Sequence, residues 1–217
     1  MNLSYAFPEG SKFFFSETFA SAKTVTAVSN ANPAVATSVA HGFADGAELL
    51  FESGWEDASD SVFKIDQLSV DTFSLPGLNT NDTDWFNPGS GTGTVQLVSN
   101  WVEIPQVLTI ATQGGDPKFT TIAPLAKRNA INVPTGFNPT SITLTLGHDA
   151  SNTNYQEMLD ISRSLRKVAF KMVLSGGISS YGYGYMSVSE MPSLNVNQAN
   201  QVTASLSLLG RAISYAS

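Results

Sequence analysis

The stretch SITLTLGHDASNTNYQEMLDISRSLRKVAFKMVL, Ser141 to Leu174, decides the fold. At its start Ile142, Leu144 and Leu146 alternate with Ser141, Thr143 and Thr145, the period-two pattern of a strand with one face in a core. Its end repeats that pattern, with Val168, Phe170, Met172 and Leu174 on one face. Between them the period changes. Tyr155, Met158, Leu159, Ser162 and Leu165 recur at helical spacing, which predicts one amphipathic helix over about 153–166. Thr153 and Gln156 fit a capping box, while Glu157 and Asp160 fall early and Arg163, Arg166 and Lys167 late, as the helix dipole favours.

Outward from this stretch the strand pattern continues. Phe13, Phe15 and Phe19 share a face with Phe14 opposite, and Val202, Ala204, Leu206 and Leu208 alternate with Thr203, Ser205 and Ser207. The composition agrees: 27 Ser, 19 Thr, 15 Asn, 17 Gly and 10 Pro in 217 residues favour strands and turns over helices. The expected class is mainly β (α+β), a sandwich or barrel-forming core with one amphipathic helix and an inserted small all-β domain. Only 13% of residues are charged, about half the usual share. So pale a surface is suited to meeting other protein.

The net charge of −7 is unevenly spread. From Val25 to Val98 ten acidic residues face the single Lys64, a net −9, which leaves the remainder at +2. SNANP at 29–33 and NPGSGTG at 87–93 punctuate the two ends. Residues 25–98 are therefore expected to be an acidic inserted β domain, with 1–24 and 99–217 forming the core. Ala47 to Phe51, Val62 to Ile65, Val70 to Leu75 and Thr92 to Val98 read as its strands.

Residues that carry chemistry are scarce. The absence of Cys removes disulfides, thiolate metal sites and thiol nucleophiles together. His148-Asp149 reads as a turn before the helix, and His41 in AHGFADG as a structural residue at a turn where Gly42 and Gly46 permit positive φ. Gly89, Gly91 and Gly93 lack the following Lys and helix of a phosphate loop; the acidic segment lacks calcium-loop spacing, and no G-x-S-x-G elbow occurs. No catalytic, cofactor or metal site is expected. Tyr181, Tyr183 and Tyr185 line one strand face with Gly182 and Gly184 on the other; that stripe fits a core or subunit interface better than a stack for bases or sugars, because no basic groove accompanies it. Arg163, Arg166, Lys167 and Lys171 read as dipole and acidic-neighbour contacts. Met1 to Gly10 has neither a basic start nor an apolar run, and no stretch approaches the ~18 apolar residues of a membrane span, so synthesis in a cytoplasm and no membrane partner are expected.

The order of these parts resembles the major tail tube protein family of long non-contractile-tailed phages: an aromatic arm FPEGSKFFFSETF, a strand beginning WVEIPQVLTI, a loop-rich stretch from Gln113 to Asn138, TSITLTLGHD, the helix, VAFKMVL and late strands. Within the acidic segment, AHGFADG, FKIDQLSVDTFSLPG and GSGTGTVQL resemble a small β module of phage virion proteins. The resemblance implies a virion protein, made in the bacterial host cytoplasm, whose hexameric rings stack into a tube through which DNA is ejected. Its implied partners are further copies, the tape measure, the tail terminator and the tail tip, with DNA only in transit and no catalysis.

A channel that passes DNA without gripping it needs a lining free of cations. Ser141, Thr143, Thr145, Thr203, Ser205 and Ser207 are the expected lining, and Phe13, Phe14, Phe15, Tyr181, Tyr183 and Tyr185 the expected subunit interface. Lys167 and Lys171 are expected against the helix side or a neighbouring subunit, and Gln113 to Asn138 to order only against the next ring. The alternatives are another tail or neck component, such as a terminator or decoration protein, and a β-sandwich carbohydrate- or surface-binding module.

Overall fold

The computed structural model describes residues 9–126, 128–194, 196 and 199–216. Strand β1 (Lys12–Ser16) starts a sheet that the chain leaves and rejoins after residue 101. In between, β2 (Thr18–Phe19), β3 (Lys23–Val25), β4 (Ala27–Val28), β5 (Ala34–Thr37), β6 (Glu48–Ser53), β7 (Ser61–Lys64), β8 (Asp66–Gln67), β9 (Thr72–Leu75) and β10 (Gly93–Ser99) build two smaller sheets. The chain continues through β11 (Val102–Glu103), β12 (Val107–Gln113), β13 (Pro117–Ile122), β14 (Ile131–Phe137), β15 (Ser141–Gly147), helix α1 (Thr153–Ser164), β16 (Lys167–Val173), β17 (Ser179–Val188), β18 (Gln201–Leu208) and β19 (Ile213–Tyr215). The fold is mainly β with, among the described residues, one α-helix.

The elements stack in layers. Helix α1 lies on the main sheet, ordered β11-β1-β16-β17-β18-β15-β12 with β19 beside β17. A second sheet (β2-β10-β6-β7, with β3 also on β10) covers part of the opposite face, and a third (β4-β5-β9-β8) covers the second. Strand β6 shows how the sequence specifies this: Leu49 and Phe51 belong to the core shared with Phe63, Phe73 and Leu75, while the intervening Leu50 joins Val62, Val98, Ala169, Tyr181 and Tyr183. A strand covered on both faces needs such a continuous apolar run. The C-terminal strand ties the layers together. Its Tyr215 hydroxyl donates to the Pro76 carbonyl at 2.9 Å and accepts from the Lys64 amide at 3.0 Å.

The helix core contains Tyr155, Met158 and Ile161 against Phe15, Phe170, Leu144 and Leu206. Each fully buried aliphatic side chain contributes about 1.5–3 kcal/mol. Two details differ from the expected helix. The cap is Asn152, whose side chain accepts from the amides of Asn154 and Tyr155, and not Thr153; Gln156 donates to the Ala150 carbonyl instead of closing a capping box. Ile161 is buried where Leu165 was expected, because Leu165 adopts the left-handed conformation (φ 51°) that ends the helix and swings its side chain into solvent.

The Gln113 to Asn138 stretch is not irregular. It is the β13–β14 hairpin, whose strand residues are exposed except for a half-buried Val133.

The cap assignment predicts that Asn152→Ala lowers stability by about 1 kcal/mol, while Thr153→Ala changes it by less than about 0.5 kcal/mol. Urea midpoints of the two variants check this, and a larger loss from Thr153→Ala would return the cap to residue 153.

Candidate functional site

The main sheet has one face under the helix and another that is divided. On its β1-β16-β17 side the second sheet covers it; on the β18-β15-β12 side no other layer of the described residues does. Register places the side chains of the open part directly. Thr145 pairs with Thr203, Thr143 with Ser205 and Ser141 with Ser207. Strand β12 extends the surface by Thr109, Ala111 and Gln113, opposite Thr145, Thr143 and Ser141. On the other side β17 adds Tyr185 and Ser187, opposite Ser207 and Ser205. The result is four strands wide, rich in hydroxyls, and free of charge: β12, β15 and β18 contain no Asp, Glu, Lys or Arg at all.

All six serines and threonines expected in the lining thus come together on one surface, with Thr203 and Ser207 exposed and the others half-buried. Sequence reasoning missed Thr109, Ala111, Gln113 and Ser187. Their signal was present in the alternation of Thr109, Ala111 and Gln113 with Ile110 and Thr112, and of Ser187 with Met186 and Val188.

The aromatic runs divide between faces. Phe13 and Phe15 are buried in the helix-side core, and Phe14 is half-buried on the opposite face beside Lys171 and Glu103. Tyr181 and Tyr183 are buried under the second sheet, and Tyr185 emerges at its border, 41% exposed. The glycines between them permit close approach: a Cβ on Gly184 would lie 1.9 Å from the Ser207 carbonyl oxygen.

Lys167 and Lys171 do not lie on the helix side. They share the face of the hydroxyls, under the second sheet, where acidic residues meet them. Lys171 Nζ is 2.7 Å from Glu48 Oε1, the oxygen to which the Tyr181 hydroxyl donates at 2.6 Å, and it lies over the rings of Trp101 and Tyr181. Lys167 Nζ is 3.8 Å from Asp60 and over Tyr183; Arg211 pairs with Asp57 at 2.6 Å. Strand alternation gave the face correctly, but only the tertiary arrangement supplies the carboxylates. The open surface next to these lysines therefore stays neutral.

The two histidines are structural. His41 is fully buried; its Nδ1 accepts from the Phe43 amide, so Nε2 donates to the Ser69 carbonyl, and its ring packs on Phe43 and Phe73. Gly42 has the expected positive φ, 63°. His148 packs edge-on against Tyr155, and Asp149 bonds Ser151, which holds its carboxyl below the usual range.

Burial makes the covered tyrosines weak acids. Tyr183 is pushed up to about 12 by desolvation, then by Glu52 and Asp60; Tyr215 is pushed up to about 12 by desolvation. Tyr181 is raised by burial and by its bond to Glu48. Unfolded phenols ionise near ~10. Between about 10 and 12 the unfolded chain has lost protons that the folded chain keeps, so stability is complete below pH ~10 and declines as pH rises through 12. Tyr183→Phe is expected to leave the melting temperature at pH 7 nearly unchanged and to reduce its drop between pH 9 and 11. An equal drop in the variant would show that Tyr183 is not one of the groups responsible.

A sequence model of a family described as phage tail tube protein matches residues 53–217. That stretch begins inside the acidic segment and runs through the main sheet. No curated protein matches the chain. Among solved structures, it is similar to a chain of the SPP1 tail tube determined by solid-state NMR and cryo EM, at 14% identity over 55% of this chain and 70% of that one, with a TM-score of 0.42.

Proposed function

The chain belongs to the phage tail tube protein family and is a structural component of the virion, and from this premise we propose that six copies close into a ring with the uncharged hydroxyl face inward. Stacked rings form the duct that DNA crosses during ejection. The family implies a structural, non-enzymatic role and oligomeric assembly with other tail proteins; the tape measure, terminator and tail tip are the partners in this reading.

The observation that carries the proposal is the hydroxyl face. A four-strand surface with no cation adds nothing to the sequence-independent affinity that each Lys or Arg gains from a phosphate. Ser141, Thr143, Thr145, Thr203, Ser205 and Ser207 line the duct in this account, extended by Thr109, Gln113 and Ser187.

Ring closure uses the sheet edge. Among the described residues strand β12 pairs only with β15, so the outer edge of this seven-residue strand, which has neither Pro nor charge, presents the unpaired N–H and C=O groups of alternate residues. Such an edge is a template for another chain, and closing it removes the hazard. Phe14 and Tyr185, the members of the two aromatic runs that reach solvent, contribute to contacts between copies, while Phe13, Phe15, Tyr181 and Tyr183 support that surface from within. The acidic 25–98 domain stands on the outer wall. Six copies of it would carry roughly −54, and charges of one sign are tolerated best where they stand farther apart than a Debye length of ~8 Å.

The experiment is assembly followed by substitution. Concentrated protein viewed by negative stain should show rings with a central hole and stacks of them. Thr203→Lys with Ser207→Lys adds two cations per copy to the lining, so assembled variant should retain short duplex DNA at low salt and release it at high salt, while the parent retains none. A compact monomer at high concentration contradicts the proposal, and so does a variant assembly that binds no more DNA than the parent.

A further inference from the structure

Tryptophan is seldom left in water, yet Trp85 in the acidic segment is 73% exposed. The loop that carries it, residues 79–86, is pinned at both ends. The Asn30 side chain donates to the carbonyls of Thr80 and Phe86 at 3.0 and 2.8 Å, the Thr80 hydroxyl to the Ser29 carbonyl at 2.7 Å, and Trp55 Nε1 to the Asn87 carbonyl at 2.9 Å. The indole is held out on a fixed backbone, so a partner that meets it has little loop to order. Both ends of this loop also line a cleft of about 350 Å³. Leu78 comes from one end and Phe86 from the other, and Phe63 and Ile213 complete an apolar floor. The one cation in its lining, Arg211, is already paired with Asp57. A hollow of this size lies at the lower end of ligand pockets, room for one large side chain.

Charge selects the occupant. Of the ten acidic residues between Val25 and Val98, only Glu48, Asp57 and Asp60 take part in ion pairs among the described residues. Asp82 and Asp84, on the loop itself, are two of those without one. The Phe86 amide donates to the Asp82 carbonyl at 2.9 Å and the Asp84 amide to Asp82 Oδ1 at 3.1 Å, so Asp82 caps a single helical turn. The cap and the third residue after it face the same side of such a turn, which sets the Asp82 carboxylate beside the Trp85 ring. A ring face with carboxylates around it attracts a cation through both its quadrupole and their charge. The same carboxylates repel phosphates and anionic sugars. A segment that is both basic and apolar fits the two halves of this surface.

We propose that the cleft and Trp85 together dock a basic segment of another protein, with an arginine or lysine lying over the indole beside Asp82 and Asp84 and a neighbouring apolar side chain entering the cleft. This goes beyond the duct reading and does not depend on it. The acidic segment then has two uses: Glu48, Asp57 and Asp60 hold cations of its own chain, and the Trp85 loop holds those of a partner.

The test uses the full chain and a fluorescein-labelled hexapeptide of alternating Arg and Leu, read by anisotropy at low salt. Binding should be saturable, and Trp85→Ala should weaken it by about tenfold while melting as the parent does, because its side chain is exposed. Asp82→Asn with Asp84→Asn should weaken it by a similar factor. Asp45→Asn with Asp66→Asn removes the same charge outside the cleft and its loop, and should change the affinity by less than about twofold. A hexapeptide of alternating Arg and Ala leaves the cleft unfilled and should bind about tenfold more weakly. Absence of saturable binding overturns the proposal. An equal loss in the Asp45 and Asp66 variant overturns it as diffuse attraction, and undiminished binding of the Arg-Ala peptide removes the cleft from it. Displacement of the peptide by neutral maltohexaose would assign a sugar platform instead, and loss of rings in Trp85→Ala would place a second copy on the site; either result also overturns it. The duct reading fails separately, on the absence of rings from the parent protein.

Discussion

A β-sheet has two faces, and this chain covers most of one and part of the other. The helix fills one side of the main sheet except along the edge strand β12, and the second sheet fills the opposite side only over β1, β16 and β17. Everything else follows from where that second layer stops. Beneath it the face is apolar and aromatic, with lysines held by carboxylates; beyond it the same face carries hydroxyls on β18, β15 and β12. The border runs through a single strand, β17, which is buried at Tyr181 and Tyr183 and open at Tyr185.

The junction at Lys171 shows why the border is sharp. Lys171 and Glu48 are largely buried, with side-chain exposures of 22% and 15%, and the Tyr181 hydroxyl donates to the same carboxylate oxygen that Lys171 meets. Removing one member of such a pair leaves a charge with no partner in a poorly solvated place, which is costly even where the intact pair adds little. The acidity of the 25–98 segment thus has a local use as well as a global sign. Glu48, Asp57 and Asp60 hold cations of the rest of the chain, and they do so away from the open surface.

Much of this was legible in the sequence because antiparallel strands with one face in a core write their burial as alternation. The serines and threonines of 141–145 and 203–207 were placed on one surface from that pattern, and the helix from its change of period. The rest depended on partners that periodicity does not name. A cap is chosen by backbone geometry among neighbouring polar residues, so Asn152 and Thr153 look alike. The hairpin escaped because a ribbon exposed on both sides carries no burial pattern. Lys167 and Lys171 were expected against the helix side or a neighbouring subunit, yet what covers their face is a sheet built from strands between residues 18 and 99 of the same chain.

The most direct measurement is a cryo-EM reconstruction of the assembled protein at a resolution that traces the strands. The account predicts that the face carrying Thr203 and Ser207 borders the pore and that the Glu48–Lys171 junction lies farther from the axis, with residues 25–98 outermost. A reconstruction in which the 25–98 segment borders the pore, or in which the hydroxyl face is turned to the outside, would contradict it.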